Sequence, residues 1–175
     1  MARIPLLNLA EVPGALGDTL RARRPANLYR ILAHAPTLAP GFVQFGVAVL
    51  TDMELPADLR ELVILRIGHM SGARYEIDHH RPMARAAGVA AQKVDAVLTD
   101  GMADAGWTEL ERAVLRFTEE VLRDVKASAQ AYEAVAAHLS HRALVELMLT
   151  IGQYMGLARL LENLEVDADS FLHQP

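Results

Sequence analysis

Apolar residues in this chain recur at intervals of three and four in segment after segment, and no stretch alternates with period two, so the sequence supports an all-α fold. Pro25 opens a helical segment over 26–35, with Leu28, Ile31 and Leu32 on one stripe and Pro36 closing it. A second helix is predicted over 37–50 around Phe42, Phe45 and Val49, with Pro40 and Gly41 in its first turn. After Leu55-Pro56-Ala57-Asp58, a third carries Leu59, Leu62, Val63, Leu65, Ile67 and Met70 to Gly72. The fourth spans 74–87 and ends at Gly88, where a left-handed residue is wanted. Pro82 lies inside it and cannot donate to the Asp78 carbonyl, so a kink is expected just after His80. A short helix follows over 92–98, and Thr108 with Glu111 has the spacing of a capping box at the head of a helix to about Val125. Ser128 caps the next, and Ser140 caps a last long one over 141–164. Residues 1–24 read as an N-terminal segment and 25–175 as one helical domain.

Composition removes several chemistries. The chain has no cysteine, so it offers no thiol nucleophile, disulfide, thiolate metal site or thiol peroxidase couple. Its net charge of −5 argues against nucleic acid; the one dense basic run, Arg21-Arg23-Arg24, lacks interleaved aromatics and reads as a solvated face. No uninterrupted apolar run approaches the ~20 residues of a membrane span, and no export signal is evident near the N-terminus, so no membrane partner and a cytoplasmic location are expected. With 52% apolar residues and a mean hydropathy of +0.16, a chain this small is expected to self-associate.

The residues that carry chemistry lie in Arg60-Glu61-Leu62-Val63-Ile64-Leu65-Arg66 and in Ser71-Gly72-Ala73-Arg74-Tyr75-Glu76-Ile77-Asp78-His79-His80. Glu76 and His80 are one turn apart on a common helix face, and Glu61 on the preceding helix reaches them if the two pack as a hairpin. Histidine is the natural acid and base near neutral pH, and a neighbouring carboxylate holds or polarises it. A Glu–His pair at this spacing equally describes an idle, exposed helix pair. His79 points away and reads as surface or interface, and His69 reads as packing. Glu61, His69, Glu76, His79 and His80 follow no strong ligand spacing, so no metal site is assigned. Arg60-Glu61-Leu62-Val63 and Arg142-Ala143-Leu144-Val145 share a pattern that fits either an internal duplication or two buried helices with similar needs.

Taken with Asn27-Leu28-Tyr29-Arg30, Ala87-Gly88, Trp107-Thr108, Val145-Glu146-Leu147 and Gly152-Gln153-Tyr154, these segments resemble the carboxymuconolactone decarboxylase family and its alkylhydroperoxidase D-like relatives, specifically a cysteine-free branch. That branch commonly has tryptophan where this chain has Ile77. In the peroxidase relatives an acid is followed by C-x-x-C and a histidine; counted from Glu61, the cysteine positions fall on Ala73 and Glu76 and the histidine on His80. Thiol peroxidase activity is therefore not expected. The resemblance implies an alkylhydroperoxidase D-like helical domain that forms trimers or hexamers. It also implies a cofactor-independent lyase or proton-transfer enzyme on a small carboxylate or lactone, with Glu61, Glu76 and His80 as catalytic groups. Ala73, Tyr75 and Arg66 are assigned to substrate binding, with Arg74 and Arg81 as alternative cations for an acidic substrate. A non-catalytic oligomeric binding or scaffold protein is the competing reading.

Overall fold

In the computed structural model, which describes residues 2–23 and 25–173, the elements are helices joined by turns and loops, and no strand occurs among the described residues. Arg24, the last of the basic run, lies outside them. The chain forms two compact units, Met1–Asp52 together with Leu160–Pro175, and Met53–Arg159.

The first unit holds α1 (Gly14–Arg21), α2 (Asn27–Leu32) and α3 (Ala39–Thr51). Its core joins Leu9, Leu16, Leu20, Leu32, Ala33, Ala39 and Val43. The sequence assigns no helix to the segment containing α1. One guanidinium nitrogen of Arg21 donates to the carbonyls of Leu9 and Val12, both at 2.8 Å, fastening the helix to the turn before it. The buried Asp169 accepts from the backbone N–H of Asn27 at 2.7 Å, so a distant carboxylate serves the start of α2.

The second unit is organised by α4 (Ala57–Ser71), which packs against α5 (Arg74–Ala86) and α7 (Glu109–Asp124). Every residue of α4 from Leu59 to Gly68 is buried, so this helix has no solvent face. Leu62 and Leu65 join Ala84, Val89, Val94, Val97, Trp107 and Leu115 in one apolar cluster that includes residues of α6 (Ala91–Ala96). The consequence for the charged residues of α4 is severe. Arg60, Glu61 and Arg66 lie inside the protein, where each charge needs a partner.

Local signals read from the sequence are realised here. Thr108 accepts from the Glu111 N–H at 3.2 Å and Glu111 from the Thr108 N–H at 2.7 Å, which is the capping box. Ser128 caps α8 (Ala129–Ala136) through the Ala131 N–H, and Ser140 accepts from the Ala143 N–H at the head of α9 (His141–Asn163). Gly88 takes φ +93° beyond α5. α5 itself runs through Pro82 without a break.

Gly72 has a conformational role: it ends α4 at φ +65°, and a Cβ there would meet nothing within 4 Å. Close approach occurs at Gly68, where a Cβ would stand 3.1 Å from the Ile77 side chain and 3.6 Å from the Glu76 Cβ. α9 also has the length and apolar character of a membrane span, which a search for uninterrupted apolar runs does not show. Half of its most apolar window is buried within the protein, and Leu147, Ile151, Leu157 and Ala158 supply core side chains.

Candidate functional site

Glu61, Glu76 and His80 converge. The α4–α5 hairpin turns at Gly72 and brings the middle of α5 alongside the first half of α4, as the sequence requires if the three are to meet. Nδ1 of His80 lies 2.7 Å from Oε2 of Glu61, and its Nε2 lies 3.6 Å from Oε2 of Glu76. Exposure is 0% for Glu61, 3% for Glu76 and 6% for His80, so the pair is not an idle surface contact. The ring of Tyr154, from α9, meets the imidazole edge-on at 5.0 Å between centroids.

The charges form a sequence of donors and acceptors. Arg60 donates from Nε at 3.0 Å and from Nη2 at 2.9 Å to the same oxygen, Oε1 of Glu61. This leaves Oε2 for the histidine. A carboxylate only accepts, so Nδ1 of His80 carries the hydrogen in this contact and Nε2 is the nitrogen that can gain or lose one. Burial pushes the Glu76 carboxyl above the ordinary carboxylate range, against the opposing pull of His80 and His79. Arg60 and Glu61 neutralise each other. Glu76 and Nε2 of His80 thus face each other as a carboxyl and a ring nitrogen between which a proton can pass.

The other expected site residues are placed differently. Ala73 is fully buried at the start of α5, and its N–H donates to the Gly68 carbonyl at 2.8 Å. Tyr75 is buried and stacks on His79 at 4.3 Å, while Nδ1 of His79 contacts the Tyr75 carbonyl. Arg66 is not with the trio: it donates to Glu119 and to the carbonyls of Val97 and Thr99, which occupies its guanidinium as a brace between α4 and α7. The alternative cations are also engaged, Arg74 with Asp78 at 3.8 Å and Arg81 with Asp95 at 2.9 Å. His69 pairs with Asp100. Among the described residues, no group of three or more acidic or histidine side chains is arranged to hold a metal ion. Arg60 and Tyr154 are the members that sequence reasoning did not select. Arg60 was signalled by its place beside an acid in a helix apolar on all sides, and Tyr154 only by the Gly152-Gln153-Tyr154 motif.

The buried acid–histidine–acid row sits in an all-helical fold and stands without any cysteine thiol beside it. Residues 36–120, which include all three groups, match the model of the carboxymuconolactone decarboxylase family, and the chain has no cysteine. Among solved structures, the alkylhydroperoxidase AhpD core of an uncharacterized peroxidase-related protein from Ralstonia eutropha JMP134 superposes with a TM-score of 0.86 at 17% identity, over 98% of this chain and 94% of that one. A putative antioxidant defence protein AhpD from Agrobacterium tumefaciens, ATU0492, gives 0.72 at 20% identity over 79% and 95%. The debrominase Bmp8 in complex with 2,3,4-tribromopyrrole gives 0.80 at 18% identity over 99% and 96%. At these identities the likeness concerns the fold. None of the curated proteins matches this chain significantly.

Proposed function

We propose that this protein is a cofactor-independent proton-transfer enzyme of the lyase type acting on a small lactone or related carbonyl acid. The observation that carries the reading is the buried row Arg60, Glu61, His80, Glu76, in which the Glu76 carboxyl faces Nε2 of His80. A solvent-facing pair would instead have favoured a binding protein. Loss of carbon dioxide from a lactone acid leaves an electron pair delocalised into the ring carbonyl. Nε2, protonated from the Glu76 carboxyl, then gives its hydrogen to carbon, forming C–H as N–H breaks, and the Glu76 carboxylate left behind takes up a proton from solvent for the next turnover. Since Arg66, Arg74 and Arg81 are all engaged elsewhere, the reading favours recognition through the lactone carbonyl over capture of a carboxylate by arginine. Bmp8, similar in fold, holds a small ring compound, which supports a substrate of that size.

The test is incubation of the protein with a panel of small lactones and lactone acids in D2O, followed by NMR for deuterium at the carbon beside the carbonyl and for released carbon dioxide. Wild type is expected to give one or the other, and His80→Ala neither. A wild-type protein inert toward the whole panel would remove the enzymatic reading. Hydroperoxide reduction with a dithiol donor is expected to be absent, since no residue can form the sulfenic acid such a cycle requires. Self-association, as a trimer or hexamer by family resemblance, belongs to the same proposal. It is supported by Tyr132 on α8 and Val145, Met148 and Leu149 on α9, which remain 42–59% exposed. Light scattering over a dilution series checks it, and a monomer at micromolar concentration would refute it.

A further inference from the structure

We infer that Arg60 is a positioning residue that fixes which atom of residue 61 faces His80, and through that atom which nitrogen of the ring carries the hydrogen. The inference rests on the geometry of the site and is independent of turnover. Arg60 is itself buried, and both Nε and Nη2 point at a single oxygen of Glu61. A guanidinium has five donors and no acceptor, and it stays charged at every pH a protein survives. Whatever group stands at position 61 must therefore turn an acceptor toward Arg60.

For a carboxylate this is no constraint on the second oxygen, which also accepts, so the histidine must donate from Nδ1 at 2.7 Å. The hydrogen on Nδ1 leaves Nε2 as the nitrogen of variable protonation, on the side where Glu76 stands at 3.6 Å. The influence of Arg60 passes through Glu61, whose Oε1 it holds and whose Oε2 meets the ring. A packing role alone would stabilise α4 without any preference for one imidazole tautomer over the other.

An amide at position 61 separates the two roles, because it has one acceptor end and one donor end. In Glu61→Gln, Arg60 takes the carbonyl oxygen, which turns the NH2 group toward Nδ1. Nδ1 must then accept, and the hydrogen moves to Nε2. In the double variant Arg60→Met/Glu61→Gln the amide is released to turn its carbonyl toward the ring, and Nδ1–H returns. Ring 15N chemical shifts of His80 distinguish the states, each protein being measured at the same pH.

The expected results are hydrogen on Nδ1 in wild type, on Nε2 in Glu61→Gln, and on Nδ1 again in the double variant, with Arg60→Lys retaining the wild-type state. The same tautomer in Glu61→Gln and in the double variant would overturn the inference. So would a wild-type His80 with hydrogen on Nε2 alone, a measurement that stands whether or not any variant folds. Failure of the lactone assay leaves these outcomes unchanged, so the two proposals fail separately.

Discussion

Arg60→Met probes whether the ion pair within α4 is a buried one in energetic terms. The Arg60 side chain is 11% exposed and that of Glu61 0%, so neither charge is relieved by water when the other is removed. An exposed pair contributes about 0–1 kcal/mol. Breaking a buried pair by deleting one partner costs about 3–5 kcal/mol, because an uncompensated charge stays behind. For a chain of 175 residues each kcal/mol corresponds to about 2–4 °C in Tm, so Arg60→Met is expected to lower Tm by roughly 6–20 °C. Replacing both members, as Arg60→Met/Glu61→Leu, removes both charges together and is expected to recover most of that loss, since hydrophobic replacement of a whole buried pair is often neutral or stabilising by about 1–4 kcal/mol. Urea denaturation of wild type, both single variants and the double variant gives the coupling energy. A single variant that costs under about 1 kcal/mol, or a double variant whose loss equals the sum of the two singles, would refute the reasoning. The pair would then behave as a surface contact.

Two further outcomes are expected. Because burial raises the Glu76 carboxyl above its ordinary value of 4.5, the folded protein keeps a proton that the unfolded chain releases as pH rises past that value. Wild-type stability should therefore fall, relative to Glu76→Gln, from about pH 4.5 upward until the raised native value is passed, and the two should differ by a constant amount below pH 4.5. Thermal denaturation of both proteins across that range checks it, and a difference independent of pH would show that Glu76 does not hold its proton. Gly72→Ala should cost about 1–2 kcal/mol in urea denaturation through the left-handed conformation alone, because no atom lies within 4 Å of the new Cβ; unchanged stability would contradict that assignment.

Helices α2 to α9 were legible because each carries its own apolar stripe and a cap or breaker at its ends. α1 was not, since Leu16 and Leu20 are its main buried apolar residues and Arg21 holds it through carbonyls nine and twelve residues away. The trio at the site was legible because helical spacing fixes Glu76 against His80 and the Gly72 turn brings Glu61 beside them. Arg60 was hidden by the rule that neighbours at i and i+1 do not face each other on a helix. That rule describes exposed side chains choosing among solvent orientations, whereas a buried arginine turns to the acid within reach, here the one beside it. Arg66 was misplaced for the complementary reason: its partner, Glu119, lies 53 residues away, and nothing in the local pattern marks it.

The repeated pattern at the heads of α4 and α9 shows how burial, more than motif, decides what an arginine does. In α4 the arginine of Arg60-Glu61-Leu62-Val63 is inside the protein and turns onto the adjacent acid. In α9, Arg142 is 61% exposed and reaches along the surface to Glu146 at 2.8 Å, one turn on. Glu146 in turn accepts the backbone N–H groups of Glu54 and Leu55, holding the turn that leads into α4. The position equivalent to Glu61 is Ala143, which is buried and carries no charge, so α9 never needs an internal cation. The two helices thus divide the work: α9 offers apolar side chains, the Tyr154 ring and an anchor for the start of α4. Of the two, α4 holds the buried charged residues, and Glu61 among them meets the histidine.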